Sequence, residues 1–150
     1  MSKIKELDDA NWRILEELQK NARITVAELS KRIFLSAPAV AERIAKLEEA
    51  GYIKGYRTII DYNKLGLTVP VFINFKSISI THADMVKMVN QKPEVMEWYT
   101  ITGNKCMILK VIVSSTEELE KILESLSRYG ETTTSIILSG NPVARVVKKK

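Results

Sequence analysis

The sequence predicts an α+β protein of two parts, a helical head followed by a small domain in which strands and helices alternate. Three observations predict it. Apolar residues recur at helical spacing through the first third, as in Val40, Ile44 and Leu47. After Leu65-Gly66-Leu67 the period changes to two, with Val69, Val71, Ile73 and Phe75 alternating with Phe72, Asn74 and Lys76. Beyond that strand the pattern reads helix, strand, strand, helix, strand. The boundary is expected near residue 63, giving domains over 1–63 and 64–150.

The head begins with Asp8 and Asp9, an acidic start for a helix whose stripe is Trp12, Leu15 and Leu18 with Ile14 beside it. Asn21-Ala22-Arg23 interrupts it. Thr25 is a good cap for a second helix running to about Arg32 and burying Val26, Leu29 and Ile33, and Glu28 occupies the reciprocal capping-box position. Ser36 caps a third helix with Pro38 in its first turn, and Gly51 closes it. Only about three residues separate the second and third helices, a link too short for a long antiparallel pair. That is helix-turn-helix geometry. Tyr52 to Arg57, followed by Thr58-Ile59-Ile60, reads as a tight turn and a strand, the wing of a winged helix-turn-helix.

The third helix presents Ala37, Ala39, Glu42, Arg43 and Lys46 away from the expected core. Small residues let a helix axis approach base edges, while Arg43 and Lys46 can reach guanine edges or phosphates. Thr25, Ser36 and Pro38 sit at the helix starts, Ser36 as a phosphate donor and Pro38, Ala39 and Arg43 nearest the bases. Lys54 and Arg57 are expected to face backbone phosphate. Double-stranded DNA is the expected partner, and the formal net charge of +5 permits it without establishing it.

The run from Leu7 to Leu67 resembles the DNA-binding half of the leucine-responsive and asparagine regulator (Lrp/AsnC) family of bacterial and archaeal transcription factors. The residues that carry the resemblance include Leu7-Asp8, Ile14-Leu15, Arg23-Ile24, Glu28-Leu29-Ser30, Leu35-Ser36, Arg43, Leu47-Glu48, Gly51, Gly55-Tyr56 and Leu65-Gly66. The resemblance implies a DNA-binding transcriptional regulator. In the turn, where the family usually has glycine, this chain has Phe34, so either the turn differs or Phe34 is strained.

In the second part the first strand is expected to continue through Ile78 and Ile80. Thr81 to Gln91 reads as a helix capped near Thr81, with Met85, Val86 and Val89 on one face. Val95 to Ile101 and Met107 to Val113 form a hairpin through Gly103-Asn104-Lys105. Thr116 caps a helix over Glu117 to Arg128 that Gly130 ends. Thr132 to Ser139 is a fourth strand, and Val143 to Val147 a short fifth. The order βαββαβ is ferredoxin-like, with both helices on one face of an antiparallel sheet. The other face stays uncovered in a single chain, and packing it on a second copy is the economical solution.

This part resembles the family's effector-sensing and oligomerising domain, often called RAM, through Pro93-Glu94-Val95, Tyr99, Thr102-Gly103, Leu109-Lys110-Val111, Thr132, Thr134 and Ile136-Ile137-Leu138. The resemblance implies homodimers and larger assemblies, tetramers or octamers, and a small-molecule effector held by the hairpin loop. It places Tyr99, Thr102, Gly103, Asn104, Lys105, Cys106, Thr132 and Thr134 at that site. The family loop presents acids after the glycine. This chain has Gly103-Asn104-Lys105-Cys106 instead, and Lys105 repels an ammonium and attracts an anion. The expectation is a different, acidic ligand or none.

Other function classes find little support. A single cysteine and a single histidine provide neither an internal disulfide nor a zinc cluster. His82 reads as an exposed helix-start residue and Cys106 as a small hydrophobe at a strand start. No phosphate loop or dinucleotide turn is present, so no enzyme activity, metal or cofactor is expected. An enzyme alternative is a siroheme decarboxylase of the same architecture, and a third reading is an oligomeric interaction module without DNA. Lys148 to Lys150 reads as a solvated tail. No apolar run approaches the ~18 residues of a membrane span and the start lacks a signal-peptide core, so a cytoplasmic protein is expected.

Overall fold

A computed structural model describes residues 7–103, 106–140 and 145–149. The chain divides into two compact units, one ending at Ile59 and including the C-terminal segment, the other spanning Ile60–Gly140.

In the first unit α1 spans Asp9–Lys20, α2 Val26–Ile33 and α3 Ala37–Glu49. Each starts where a short polar side chain replaces the missing intrahelical partner of a first-turn amide. Asp8 accepts from Asn11 N at 2.8 Å and Thr25 from Glu28 N at 3.1 Å, while Ser36 accepts from Ala39 N at a looser 3.4 Å. Only half of the capping box forms around Glu28, whose carboxylate takes Arg32 at 2.6 Å. Gly51 closes α3 in the left-handed conformation, φ 76°, as Tyr52 N donates to Leu47 O at 2.9 Å. Ile14, Leu29, Ile33, Val40 and Leu47 form a core drawn from all three helices, with Leu15, Leu18 and Ile44 packed around it.

The strand expected over Thr58–Ile60 does not form within the chain. Residues 53–60 run without a ladder. Their β-branched residues favour extended backbone, but a strand also needs a neighbour to accept its hydrogen bonds, and none lies beside it among the described residues.

In the second unit a 3₁₀ turn over Asn63–Leu65 leads to β1, Val69–Ser77, then α4, His82–Asn90, β2, Val95–Thr100, β3, Met107–Val113, α5, Thr116–Ser127, and β4, Gly130–Ile136. The sheet is antiparallel in the order β2-β3-β1-β4, the ferredoxin-like arrangement. Val71, Ile73, Phe75, Met107, Leu109, Val111 and Val113 fill the side that α4 and α5 cover with Met85, Val89, Leu119, Ile122 and Leu126. Pro70, Phe72 and Asn74 alternate onto the opposite side beside Ile108, Lys110 and Ile112.

Several boundaries differ from the sequence reading. β1 stops at Ser77, because Ile78 and Ser79 donate instead to Tyr129 O in a turn. Ser115 rather than Thr116 caps α5, accepting from Glu118 N at 3.3 Å, and at the other end the helix stops at Ser127, with Arg128 as its C-terminal cap. Gly130 opens β4 instead of closing a helix, for a steric reason: a Cβ there would lie 2.1 Å from Lys76 O. β4 correspondingly spans Gly130–Ile136, shorter at its end than the expected Thr132–Ser139. Of the expected fifth strand, Val143 and Ala144 lie outside the described residues, and 145–147 are not strand.

Those last residues lie along α1. Gln19 accepts from Val147 N at 2.8 Å and donates to Val147 O at 3.1 Å, and Lys149 reaches Asp9 at 2.5 Å. Lys149 is therefore tied down rather than a frayed tail residue. The carboxyl of Asp9 is held below its ordinary range by the Lys149 ammonium.

Candidate nucleic-acid interface

With Val40, Ile44 and Leu47 turned to the core, the side of α3 that remains exposed carries Pro38, Ala41, Glu42, Ala45 and Lys46. The helix is thirteen residues, about 20 Å at its rise per residue, a length that suits a major groove. Its first turn holds no acid, so the partial positive charge of the N-terminus is not cancelled there. Glu42 and Lys46 pair at 2.6 Å one turn apart, and the ammonium holds the Glu42 carboxyl below its usual range. An exposed pair of this kind contributes little to stability, so either side chain is available for redirection at small cost.

The expected residues separate on inspection. Ser36, Pro38, Glu42 and Lys46 lie on the exposed side, as does Thr25 at the start of α2. Ala37 and Ala39 are half-buried at its flanks. Arg43 turns back: its Nη1 meets Asp8 Oδ2 at 2.6 Å and Asn11 Oδ1 at 2.9 Å, joining α3 to the cap of α1. The Asp8 carboxyl is lowered first by its hydrogen bond from Asn11 N and further by Arg43. Ala41 and Ala45 were missed by the sequence reading. The signal was there, since at 100° per residue Ala45 lies opposite the Val40, Ile44 and Leu47 stripe and Ala41 about a quarter turn from it.

Lys54 and Arg57 are exposed beyond α3, and both line a cleft of about 730 Å³ with Trp12, Leu18, Tyr52 and Tyr56. Tyr56 donates to Glu48 at 2.8 Å; partial burial and that carboxylate push its hydroxyl up to about 12.

The turn between α2 and α3 is strained. Phe34 takes the left-handed conformation, φ 60° and ψ 45°, and its N–H donates to Ser30 O. Among the described residues it alone combines a side chain with positive φ, and its ring is 85% exposed.

The effector residues do not converge within one chain. Tyr99 stands on edge strand β2 opposite Ile108, on the uncovered side of the sheet, and donates to Glu97 at 2.6 Å. Thr132 and Thr134 lie on the opposite edge strand and pair with Phe75 and Ile73, which places them on the helix-covered side. Thr102 and Gly103 form the exposed loop, Asn104 and Lys105 lie outside the described residues, and Cys106 is half-buried with its N–H on Phe75 O at 2.9 Å. His82 opens α4 and shares a 2.9 Å hydrogen bond with Thr100. Among the described residues there is no group of His, Cys, Asp and Glu able to hold a metal and no helix long and apolar enough to cross a membrane.

Comparison with known proteins agrees with both halves. Residues 7–54 match the family described as winged helix-turn-helix DNA-binding, and residues 70–144 match the Lrp/AsnC ligand binding domain. The HTH-type transcriptional regulator LrpB of Bacillus subtilis is 35% identical over 125 residues, which is 83% of this chain and 84% of that protein. The structure of B. subtilis LrpC superposes with a TM-score of 0.87 at 32% identity, covering 93% of this chain and 99% of that one. Escherichia coli AsnC gives 0.82 at 30% identity, covering 96% and 99%. A capped third helix with a bare outward side, joined to a βαββαβ domain and matched along nearly its whole length by such regulators, places this chain in the Lrp/AsnC family of DNA-binding transcriptional regulators.

Proposed function

We propose that the chain regulates transcription in the cytoplasm by laying α3 in the major groove of double-stranded DNA, and that it does so as a homodimer or larger assembly formed through the uncovered side of its sheet. The observation that carries the first part is the exposed side of α3, where only small residues and one adjustable ion pair stand between the helix axis and a base edge. Pro38 and Ala39 approach the bases, with Ala37 beside them and Glu42 and Lys46 redirected to base or phosphate. Thr25, Ser36, Lys54 and Arg57 meet the backbone. Arg43 acts mainly by bracing α3 against Asp8 and Asn11. Two heads presented to successive grooves on one side of the duplex would lie about 34 Å apart. Footprinting on genomic DNA tests this: protected half-sites one helical turn apart are expected, and uniform protection of every fragment would remove the claim of sequence specificity.

Assembly is supported by the apolar content of the uncovered side, where Phe72 is exposed between Ile108 and Ile112 of the neighbouring strand. It also offers a route to an effector site. Tyr99 and the pair Thr132 and Thr134 occupy opposite edges, so a ligand touching all three needs more than one chain. With Lys105 in the loop sequence, the ligand is acidic or absent. Calorimetric titration with the twenty amino acids decides this, and micromolar binding of a neutral one such as leucine would defeat it. Catalysis has no part in the proposal. A Soret-like band in purified protein would instead favour the siroheme decarboxylase alternative.

A further inference from the structure

Phe34 pays twice for its place in the turn. A side chain in the left-handed region is strained relative to ordinary backbone, a strain that glycine avoids. Its ring recovers nothing within the chain, since it is 85% exposed. Single exposed apolar residues are ordinary and so is an occasional strained turn, but a bulky aromatic that is both strained and unburied calls for an external contact.

The surroundings indicate what that contact is. Lys31 in the last turn of α2 is exposed three residues before Phe34, while Arg32 beside it is paired with Glu17 and Glu28. Two residues after Phe34, Ser36 caps α3, whose acid-free first turn presents positive partial charge. An apolar ring set in positive potential fits a ligand that is anionic and also has an apolar surface. The sugar-phosphate backbone of DNA is such a ligand. One ring by itself does not make a protein interface, which needs about 800 Å² on each side.

We propose that Phe34 is a DNA-contacting residue, packing on a deoxyribose at the groove edge beside the phosphate met by the N-terminus of α3. This rests on the DNA-binding reading. The contact is sequence-independent and carries no charge, which separates it from every basic contact.

The test compares Phe34→Gly, Phe34→Asn, Phe34→Ala and Phe34→Tyr in the full chain. Thermal unfolding and fluorescence anisotropy on a random-sequence duplex are the two measurements. Glycine and asparagine tolerate the left-handed conformation, so both variants should melt higher, by roughly 4 °C or more for glycine. Both should also bind about five-fold or more weakly, as should alanine, through lost apolar burial, whereas tyrosine should bind like the parent. The slope of log affinity against log salt should stay unchanged in all four. Unchanged affinity in the glycine and asparagine variants overturns the inference, as does a lower melting temperature for glycine. A change in assembly mass that accounts for the affinity loss overturns it in favour of a contact between copies. Failure of the parent to bind any duplex overturns the DNA-binding reading itself.

Discussion

Single residues here do several different jobs that their identities alone do not reveal. Gly130 sits in β4 because a Cβ would meet the Lys76 carbonyl oxygen at 2.1 Å, a backbone atom that cannot swing aside. Gly130→Ala should therefore destabilise by roughly 1–3 kcal/mol in urea unfolding, and an unchanged midpoint would mean the strands can separate freely there. The sequence alone sets Arg43 toward bases or phosphates, since nothing in a sequence shows which way a long side chain bends. With its guanidinium on Asp8, Arg43→Ala is expected to weaken binding to specific and random DNA alike and to lower stability by about 0.2–1 kcal/mol. Selective loss on specific DNA would return it to the bases. The acids of the head also fix the sign of its pH response. Asp8, Asp9 and Glu17 all have folded pKa values below their ordinary ones, each with a cationic partner. Their contribution is present above the unfolded values near 4 and is lost as pH falls through the lower folded values, so melting temperature should drop below about pH 4.

At the scale of elements, caps separate folding from binding. Thr25 holds its amide at 3.1 Å and Ser36 only at 3.4 Å. Thr25→Ala should cost about 1 kcal/mol of stability, whereas Ser36→Ala should cost less stability but more DNA affinity if, as proposed, its hydroxyl is offered to phosphate. Equal effects on both measurements would show that Ser36 only caps. The helices and their caps were legible in the sequence because polar starts, apolar spacing and Gly51 all agree locally. What local pattern misplaced were the features settled by a distant neighbour. Ile78 leaves the strand because Tyr129 O accepts from it, and Thr58-Ile59-Ile60 lacks a partner strand among the described residues. For the same reason the order of the sheet was readable from βαββαβ, while the separation of Tyr99 from Thr132 and Thr134 required the strand register.

For the whole molecule, the proposed function depends on copies and on charge. Light scattering should give a mass of at least two chains, and a monomer at micromolar concentration would remove the proposed role of the uncovered sheet. DNA affinity should fall steeply with salt, and Lys54→Ala should reduce the logarithmic slope by about 0.9 if Lys54 neutralises one phosphate. Gln19 both gives to and takes from Val147, in the manner of one rung of a ladder made by a side chain. The last residues of the chain thus report on the integrity of its first helix. In deuterium-exchange mass spectrometry the peptide containing Val147 should take up label slowly while α1 is intact, and rapidly once Gln19 is exchanged for alanine, which makes a segment remote in sequence a readout of the DNA-binding head.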